Sequence, residues 1–304
     1  MTIMFLAAAA ALAACGTDAG GSPDGKLLVT ATTGMIADAA KEIGGDDVEV
    51  TALMGAGTDP HLYKASQGDI EKLDRADLVL YNGLHLEGKM AELFEKMEKT
   101  KPTVAVAAGI PESELLTAPG AAGEISHDPH IWFDVKLWSI AAGTIRDALI
   151  EKDPQNKEKY EERAEAYLNK LVELDAYAKE QIAAIPEQSR VLVTAHDAFG
   201  YFGKAYGIEV RGLQGMNTMA EYGSKDVSDL RDFLIENNIK AVFIESSVPH
   251  KSIEAVIEGA KSLGHDIKIG GELFSDAMGE EGTEEGSYIG MVKHNVDTIV
   301  RALK

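Results

Sequence analysis

Three histidines and one aspartate are the side chains best suited to chemistry in this sequence, and each follows a short apolar run. His61 lies in Gly-Thr-Asp-Pro-His-Leu-Tyr, His130 in Asp-Pro-His-Ile-Trp-Phe-Asp and His196 in Thr-Ala-His-Asp-Ala-Phe. Asp276 lies in Ser-Asp-Ala-Met-Gly, after the last apolar run. Three imidazoles and one carboxylate can complete a four-ligand site for a divalent metal ion such as zinc. The residue types therefore predict metal binding, but their spacing along the chain does not by itself assemble a site.

The sequence Asp-Pro-His occurs twice, at residues 59–61 and 128–130. Proline restricts the backbone of the loop that carries the histidine. The aspartate two residues earlier can accept a hydrogen bond from the imidazole nitrogen that faces away from a metal, which fixes the tautomer. We therefore expect Asp59 to support His61 and Asp128 to support His130.

Apolar runs rich in β-branched residues alternate with amphipathic stretches from residue 26 to the end of the chain. Strands are predicted at 27–32, 48–53, 78–82, 103–107, 190–194, 208–213, 241–245 and 266–270. Helices are predicted at 35–43, 67–75, 87–99, 224–237, 250–263 and 285–303. The predicted fold class is α/β, with two lobes that each contain a four-stranded parallel sheet flanked by helices.

One long helix is predicted between the two lobes, at about 156–184, because this stretch is charged, free of glycine and bounded by Pro154 and Pro186. The predicted division is therefore a lobe at 26–152, a connecting helix at 153–186 and a lobe at 187–304. Ligands of open α/β sheets bind at the carboxyl ends of parallel strands. Since each lobe supplies two of the four candidate ligands, we expect these to converge in the cleft between the lobes.

The first 25 residues are predicted to be a signal and a flexible tether. An apolar run ends in Leu-Ala-Ala-Cys at Cys15, and a Gly/Ser/Asp-rich stretch follows to residue 25. The run is shorter than the roughly 20 residues that span a bilayer, and its end resembles the lipoprotein box of bacteria, although no basic residue precedes it. We expect lipid attachment at Cys15 and an extracytoplasmic, membrane-anchored protein. The alternative is a tail in which the cysteine has no function.

Charge excludes one class of function. The chain has 29 Lys and Arg against 50 Asp and Glu, a net charge of −21. Nucleic-acid binding requires a basic surface, so we expect no nucleic-acid partner.

Six segments resemble signatures of the metal-specific solute-binding proteins of ABC importers, a family that includes treponemal and streptococcal manganese and zinc lipoproteins. The resemblance covers residues 26–304, and the segments that carry it are 57–63, 82–87, 128–134, 194–202, 242–247 and 275–279. It implies that His61, His130, His196 and Asp276 bind one metal ion between two lobes joined by a rigid helix. It also implies a monomer that is not an enzyme and that delivers its metal to the permease and ATPase subunits of a transporter.

The resemblance leaves Mn²⁺ and Zn²⁺ open as the bound ion. Family members with glutamate at the position of His196 favour manganese, whereas dedicated zinc members carry a His-rich acidic loop. Here residues 117–126 contain no histidine.

Two other functions remain as alternatives. A zinc-dependent hydrolase would need an open coordination position and a general base, for which Glu245 is the candidate. A surface adhesin is compatible with lipid anchoring. The other histidines are predicted to have structural or surface roles, with His85 and His294 packed or capping. The remaining three are His127 on a loop, His250 at a helix start and His265 in a turn.

Overall fold

The computed structural model describes residues 25–119 and 125–304. Cys15 and the predicted signal segment around it lie outside the described residues, so lipid attachment stays a prediction. Within the described part of the chain, no helix combines the length and apolar character that crossing a membrane requires.

The first lobe contains the predicted four-stranded parallel sheet. Its strands have the order β2-β1-β3-β4. They are β1 (Leu27–Ala31), β2 (Val48–Ala52), β3 (Leu78–Tyr81) and β4 (Thr103–Ala105). The two central strands are almost entirely buried, as expected for parallel strands covered by helices on both faces.

Two of the four helices that flank this sheet begin at a residue whose side chain caps the helix. They are α1 (Gly34–Gly44), α2 (Gln67–Arg75), α3 (Ala91–Met97) and α4 (Val135–Lys152). At the start of α2, the Ser66 hydroxyl accepts the backbone N–H of Asp69 at 3.2 Å, and the Asp69 carboxylate accepts that of Ser66 at 2.9 Å. This reciprocal pair satisfies two backbone donors that the helix leaves open.

Three elements of the first lobe were not predicted, namely two short strands and one helix. Strands β5 (Thr117–Pro119) and β6 (Ile125–His127) form an antiparallel pair. Helix α4 packs against both α1 and the connecting helix, and its buried side chains occupy a wide arc of its surface. The exposed side of this helix carries the apolar Ile140, which weakens the amphipathic pattern in the sequence.

The connecting helix is α5 (Lys157–Ala183), with 27 residues, as the sequence predicts. It packs against α1 and α4 of the first lobe and, through its other contacts, against helices of the second. Its buried side chains recur at three- and four-residue steps and include Tyr160, Ala164, Tyr167, Leu171 and Leu174. Leu168 and Tyr177 of the same helix are only partly buried.

The second lobe also has four parallel strands, but they form two hydrogen-bonded pairs, β7–β8 and β9–β10, with β7 packed beside β9. They are β7 (Val191–His196), β8 (Glu209–Gln214), β9 (Ala241–Glu245) and β10 (Lys268–Leu273). At the carboxyl ends of β7 and β9, the backbone N–H of His196 donates to the Glu245 side chain at 2.8 Å. The single sheet predicted for this lobe is divided between β7 and β9.

Helices of the second lobe complete the core. They are α6 (Gly200–Tyr206), α7 (Ser224–Glu236), α8 (Lys251–Ser262) and α9 (Tyr288–Leu303). The short, glycine-containing α6 was not predicted. One hydrophobic cluster runs through both lobes and includes residues of β1, α5 and α9. The chain is thus a two-lobed α/β protein joined by one long helix, and the residue limits predicted for its domains stay predictions.

Candidate metal centre

The four predicted ligands lie at the carboxyl ends of strands and meet between the lobes. His61 lies on the loop after β2, and His130 lies between β6 and α4. His196 is the last residue of β7, and Asp276 follows β10. All four side chains are buried, with exposed fractions of 0–2%. One ligand atom from each lies within 4.8 Å of the other three.

The distances between these atoms suit a single metal ion. His61 Nε2 lies 3.3 Å from His130 Nε2 and 3.5 Å from Asp276 Oδ2. His130 Nε2 lies 3.4 Å from Asp276 Oδ1, and His196 Nε2 lies 3.4 Å from Asp276 Oδ2. Ligands at about 2.0–2.1 Å from a tetrahedral zinc ion are roughly 3.3–3.4 Å apart. The four side chains can therefore surround one ion of that size without large rearrangement.

Among the four side chains, the carboxylate of Asp276 has the strongest requirement for a cation. Its carboxylate is buried, and neither oxygen accepts a hydrogen bond from the described residues. A buried carboxylate without hydrogen bonds is costly. Both oxygens face imidazoles, so the carboxylate can bind an ion through one oxygen or through both.

Burial and neighbouring charges together set the pKa values of the centre. Burial lowers the pKa of His61 to about 3. Burial also lowers that of His130, but the carboxylates of Asp128 and Asp276 raise the pKa to about 9. For Asp276, burial raises the pKa, but the charges on His196 and His130 hold it well below its usual range. A cation that binds here must displace protons from imidazoles, so its binding must depend on pH.

A carboxylate stands behind two of the three imidazoles. His130 Nδ1 lies 2.6 Å from Asp128 Oδ1, which confirms the prediction for that pair. His196 Nδ1 lies 2.5 Å from Glu245 Oε2. Carboxylates in this position orient an imidazole and increase its basicity toward a metal.

The prediction that Asp59 supports the ring of His61 is wrong. Asp59 Oδ1 accepts the backbone N–H of His61 at 2.8 Å, and Asp59 Oδ2 accepts the Thr218 hydroxyl at 2.6 Å. Each oxygen of this carboxylate thus accepts a hydrogen bond from a group other than the His61 ring. The buried Nδ1 of His61 has no hydrogen-bond partner among the described residues.

The role of Glu245 behind His196 was missed, since the sequence suggested it only as the base of a hydrolase. The available signal was a carboxylate that ends the otherwise apolar strand Ala-Val-Phe-Ile-Glu and is fully buried. Thr218 gave no signal, because it lies on a loop whose position depends on the tertiary structure.

Another supporting contact comes from the segment 82–87. The side chain of Asn82 donates to the carbonyl of Pro129 at 3.0 Å, next to His130. Glu87 is buried and accepts the backbone N–H of Asn82 at 2.7 Å. Within this segment His85 is exposed, with a backbone φ of 63°, so the predicted packing role is wrong.

The remaining histidines lie outside the four-residue cluster. His265 Nε2 contacts the Ile239 carbonyl at 2.7 Å in the predicted turn. His294 Nε2 contacts the Glu272 carbonyl at 3.1 Å. His250 precedes α8, as predicted, and His127 lies 3.8 Å from Glu112.

Two α/β lobes joined by one long helix, with buried imidazoles and a carboxylate between them, define the class of metal-binding solute-binding proteins. The chain belongs to the family described as zinc-uptake complex component A, periplasmic, whose model matches residues 29–302. This confirms the resemblance found in the sequence. The family is one of metal-transport proteins rather than of enzymes, and nothing in these similarities favours a hydrolase.

Two relatives span nearly the whole chain. The manganese-binding lipoprotein MntA of Bacillus subtilis is 55% identical over 295 residues, which cover 97% of this chain and 95% of the relative. The zinc-binding protein TroA of Treponema pallidum is 51% identical over 280 residues, which cover 92% and 90%. The solved structure of that periplasmic zinc-binding protein matches with a TM-score of 0.89, covering 92% of this chain and 99% of the other. The predicted fold class is therefore confirmed.

Proposed function

We propose that this protein is the extracytoplasmic solute-binding component of an ABC importer, and that it binds one Mn²⁺ or Zn²⁺ ion through His61, His130, His196 and Asp276. The observation that carries the proposal is the convergence of four buried ligand atoms within 4.8 Å. Four buried polar side chains from distant parts of a chain are costly to assemble unless something binds between them.

The ion is cargo rather than a catalyst in this proposal. Four protein ligands fill the coordination positions of a tetrahedral ion, and a catalytic zinc site keeps one position open for water. Glu245, the base considered for a hydrolase, instead lies against His196 Nδ1 at 2.5 Å. It is therefore placed to orient a ligand rather than to activate water. The ion then passes to the permease and ATPase subunits of the importer.

We propose that zinc binds more tightly than manganese, and that manganese binds reversibly and is the ion transported. Three imidazoles and one carboxylate favour zinc in the Irving–Williams order, whichever ion the importer carries. The relative with manganese in its name and the relative with zinc in its name are similarly close in sequence. The choice of manganese rests on the lack of histidine in residues 117–126.

Elemental analysis of protein purified without chelator, followed by competition titration with Mn²⁺ and Zn²⁺, tests the proposed ion. A ligand that binds only the folded state at a thousandfold excess over Kd adds about 4 kcal/mol to the free energy of unfolding. Thermal melts at pH 7.5 with metal and with chelator should therefore differ clearly. Superimposable melts would exclude the proposed site.

We also propose that Cys15 carries a lipid and that the protein is a monomer held at the outer face of a bacterial cell membrane. The lipoprotein box at residues 12–15 supports the anchor. In a bacterial host, Cys15→Ser should move the protein from the detergent phase to the aqueous phase without a change in metal affinity. Unchanged phase partitioning would remove the proposed anchor.

A further inference from the structure

The three histidines of the metal centre are held in two different ways. The ring of His130 lies against Asp128 at 2.6 Å, and the ring of His196 lies against Glu245 at 2.5 Å. Both carboxylates come from the same lobe as the histidine that they contact. Turning either ring away would separate it from a buried carboxylate, which costs far more than breaking a contact at the surface.

His61 has no such partner for its ring. Its Nδ1 is buried without a hydrogen bond among the described residues, and its Nε2 faces the other ligands. The nearest polar support acts on its backbone, whose N–H donates to Asp59 Oδ1 at 2.8 Å. The position of the His61 ring therefore depends on how firmly Asp59 is held.

Asp59 is held from the opposite lobe. Its second oxygen, Oδ2, accepts the hydroxyl of Thr218 at 2.6 Å, and the exposed fraction of Thr218 is 8%. Thr218 belongs to residues 215–223, between β8 and α7, which we call the strap. This hydrogen bond joins the first-lobe loop that carries His61 to the second lobe.

The strap is in turn fixed to the strand pair that carries His196. Gln214, the last residue of β8, pairs with His196 in the register of β7 and β8. Its side-chain amide donates to the carbonyls of Thr218 and Ala220, both at 2.7 Å. Thr218 therefore holds a defined position relative to the second-lobe half of the centre.

We infer that Thr218 is a positioning residue that controls metal release, and that His61 is the first ligand to leave the ion. While the hydroxyl of Thr218 binds Asp59, the loop keeps His61 Nε2 directed at the metal. When that hydrogen bond breaks, the loop can move and His61 turns away at lower cost than either of the other histidines. This inference rests on the proposed function, because it concerns the same site.

The test is Thr218→Val, which removes the hydroxyl and preserves the shape of the side chain. Metal dissociation from the full chain loaded with Zn²⁺ or Mn²⁺ is measured by stopped-flow mixing with excess chelator. We expect dissociation to be about tenfold faster, the size of effect that loss of a hydrogen bond to a charged group produces. The association rate should change much less. Thr218→Ser keeps the hydroxyl and should restore the parent rate.

Thr100→Val is the matched control, because the hydroxyl of Thr100 donates to the Met97 carbonyl within its own helix end, at 3.1 Å. It should dissociate at the parent rate. Asp59→Ala should release metal faster than the parent, and adding Thr218→Val to it should cause no further change if both residues act through one contact. Thermal melts without metal identify any variant that does not fold. If Thr218→Val does not fold, Thr218→Ala replaces it.

The outcomes separate the two proposals. A parent protein that binds neither Zn²⁺ nor Mn²⁺ would refute the proposed function. A parent that binds metal, with Thr218→Val releasing it at the parent rate, would overturn the inference alone. Equal acceleration of association and dissociation would also overturn it, because the strap would then be only a barrier to entry.

Discussion

In the first lobe, His61 and His130 project from loops with the sequence Asp-Pro-His, whereas in the second lobe His196 ends strand β7 and Asp276 follows β10. The carboxylate behind His130 comes from its own loop, two residues away. The carboxylate behind His196 comes from Glu245 on a neighbouring strand. Support for the His130 ring is thus local in sequence, while support for the His196 ring exists only after the strands of the second lobe have come together.

In the second lobe, the supporting carboxylate lies where two strands are not joined by backbone hydrogen bonds. Glu245 Oε2 lies 2.5 Å from His196 Nδ1, and Glu245 Oε1 accepts the His196 backbone N–H at 2.8 Å. The strands β7 and β9 are not joined in one hydrogen-bonded ladder where this happens. The second half of the centre is therefore tied to the integrity of its sheet, whereas Asp128 acts within a loop.

The largest losses of metal affinity should come from removing a ligand in either half of the metal centre. His130→Ala and His196→Ala should each weaken metal binding by more than about 100-fold, because loss of a direct ligand should exceed the 10–100-fold cost of losing an outer-shell partner. Calorimetric titration measures the affinities, with His265→Ala as the control because its ring contacts a carbonyl in a turn. If His196→Ala binds metal like the parent, the centre does not join the two lobes.

Substitution of the supporting carboxylates should distinguish the two halves of the centre, because only one of the two substitutions should also lower the stability of the metal-free protein. Asp128→Asn and Glu245→Gln should each lower metal affinity by about 10–100-fold. Glu245→Gln should also lower the melting temperature of the metal-free protein, because it disturbs the buried junction of β7 and β9. Titrations and melts of both variants measure this, with exposed Glu258→Gln as the control. Equal melting temperatures for the two variants would contradict the proposed difference.

A smaller effect, on the free energy of unfolding, is expected from a contact between the two lobes that lies away from the metal centre. Asp38 of α1 accepts the backbone N–H of Tyr288, the first residue of α9, at 2.9 Å. Burial is the main cause that raises the pKa of Asp38 to about 6. The folded state then holds its proton more firmly than the unfolded state does, whose carboxyl has a pKa near 4. The stability from this proton is complete below about pH 4 and is lost as the pH rises through about 6.

Asp38→Asn removes this titration and keeps an acceptor for Tyr288. Relative to the parent, the variant should therefore be more stable at pH 7 than at pH 4.5, by at most about 2 kcal/mol. Chemical denaturation of both proteins without metal, at the two pH values, measures the difference. The opposite sign would mean that the amino end of α9 stabilises the Asp38 anion more than burial destabilises it.

The same contrast between local and tertiary information explains how far the sequence predicts this protein. The bounds of α2 and β9 were predicted correctly, because a capping pair marks the start of α2 and a purely apolar run forms most of β9. Helix α4 was missed because the apolar Ile140 on its exposed side weakens its amphipathic pattern. The four candidate ligands followed from residue type, from strand order and from the family resemblance, which alone implied that they form one set. The parts played by Glu245 and Thr218 did not, because each depends on a neighbour distant in sequence.

Helix α5 limits how far the two lobes can move apart when an ion binds or leaves. It is about 40 Å long, it packs against both lobes, and one hydrophobic cluster continues across all three parts. Wide separation of the lobes would expose that cluster to water, at a cost of about 25 cal/mol per Å². We therefore expect a transporter to recognise the metal-bound protein by changes in a few loops rather than by a wide movement of the lobes. Scattering curves recorded with and without metal should superimpose at low angle.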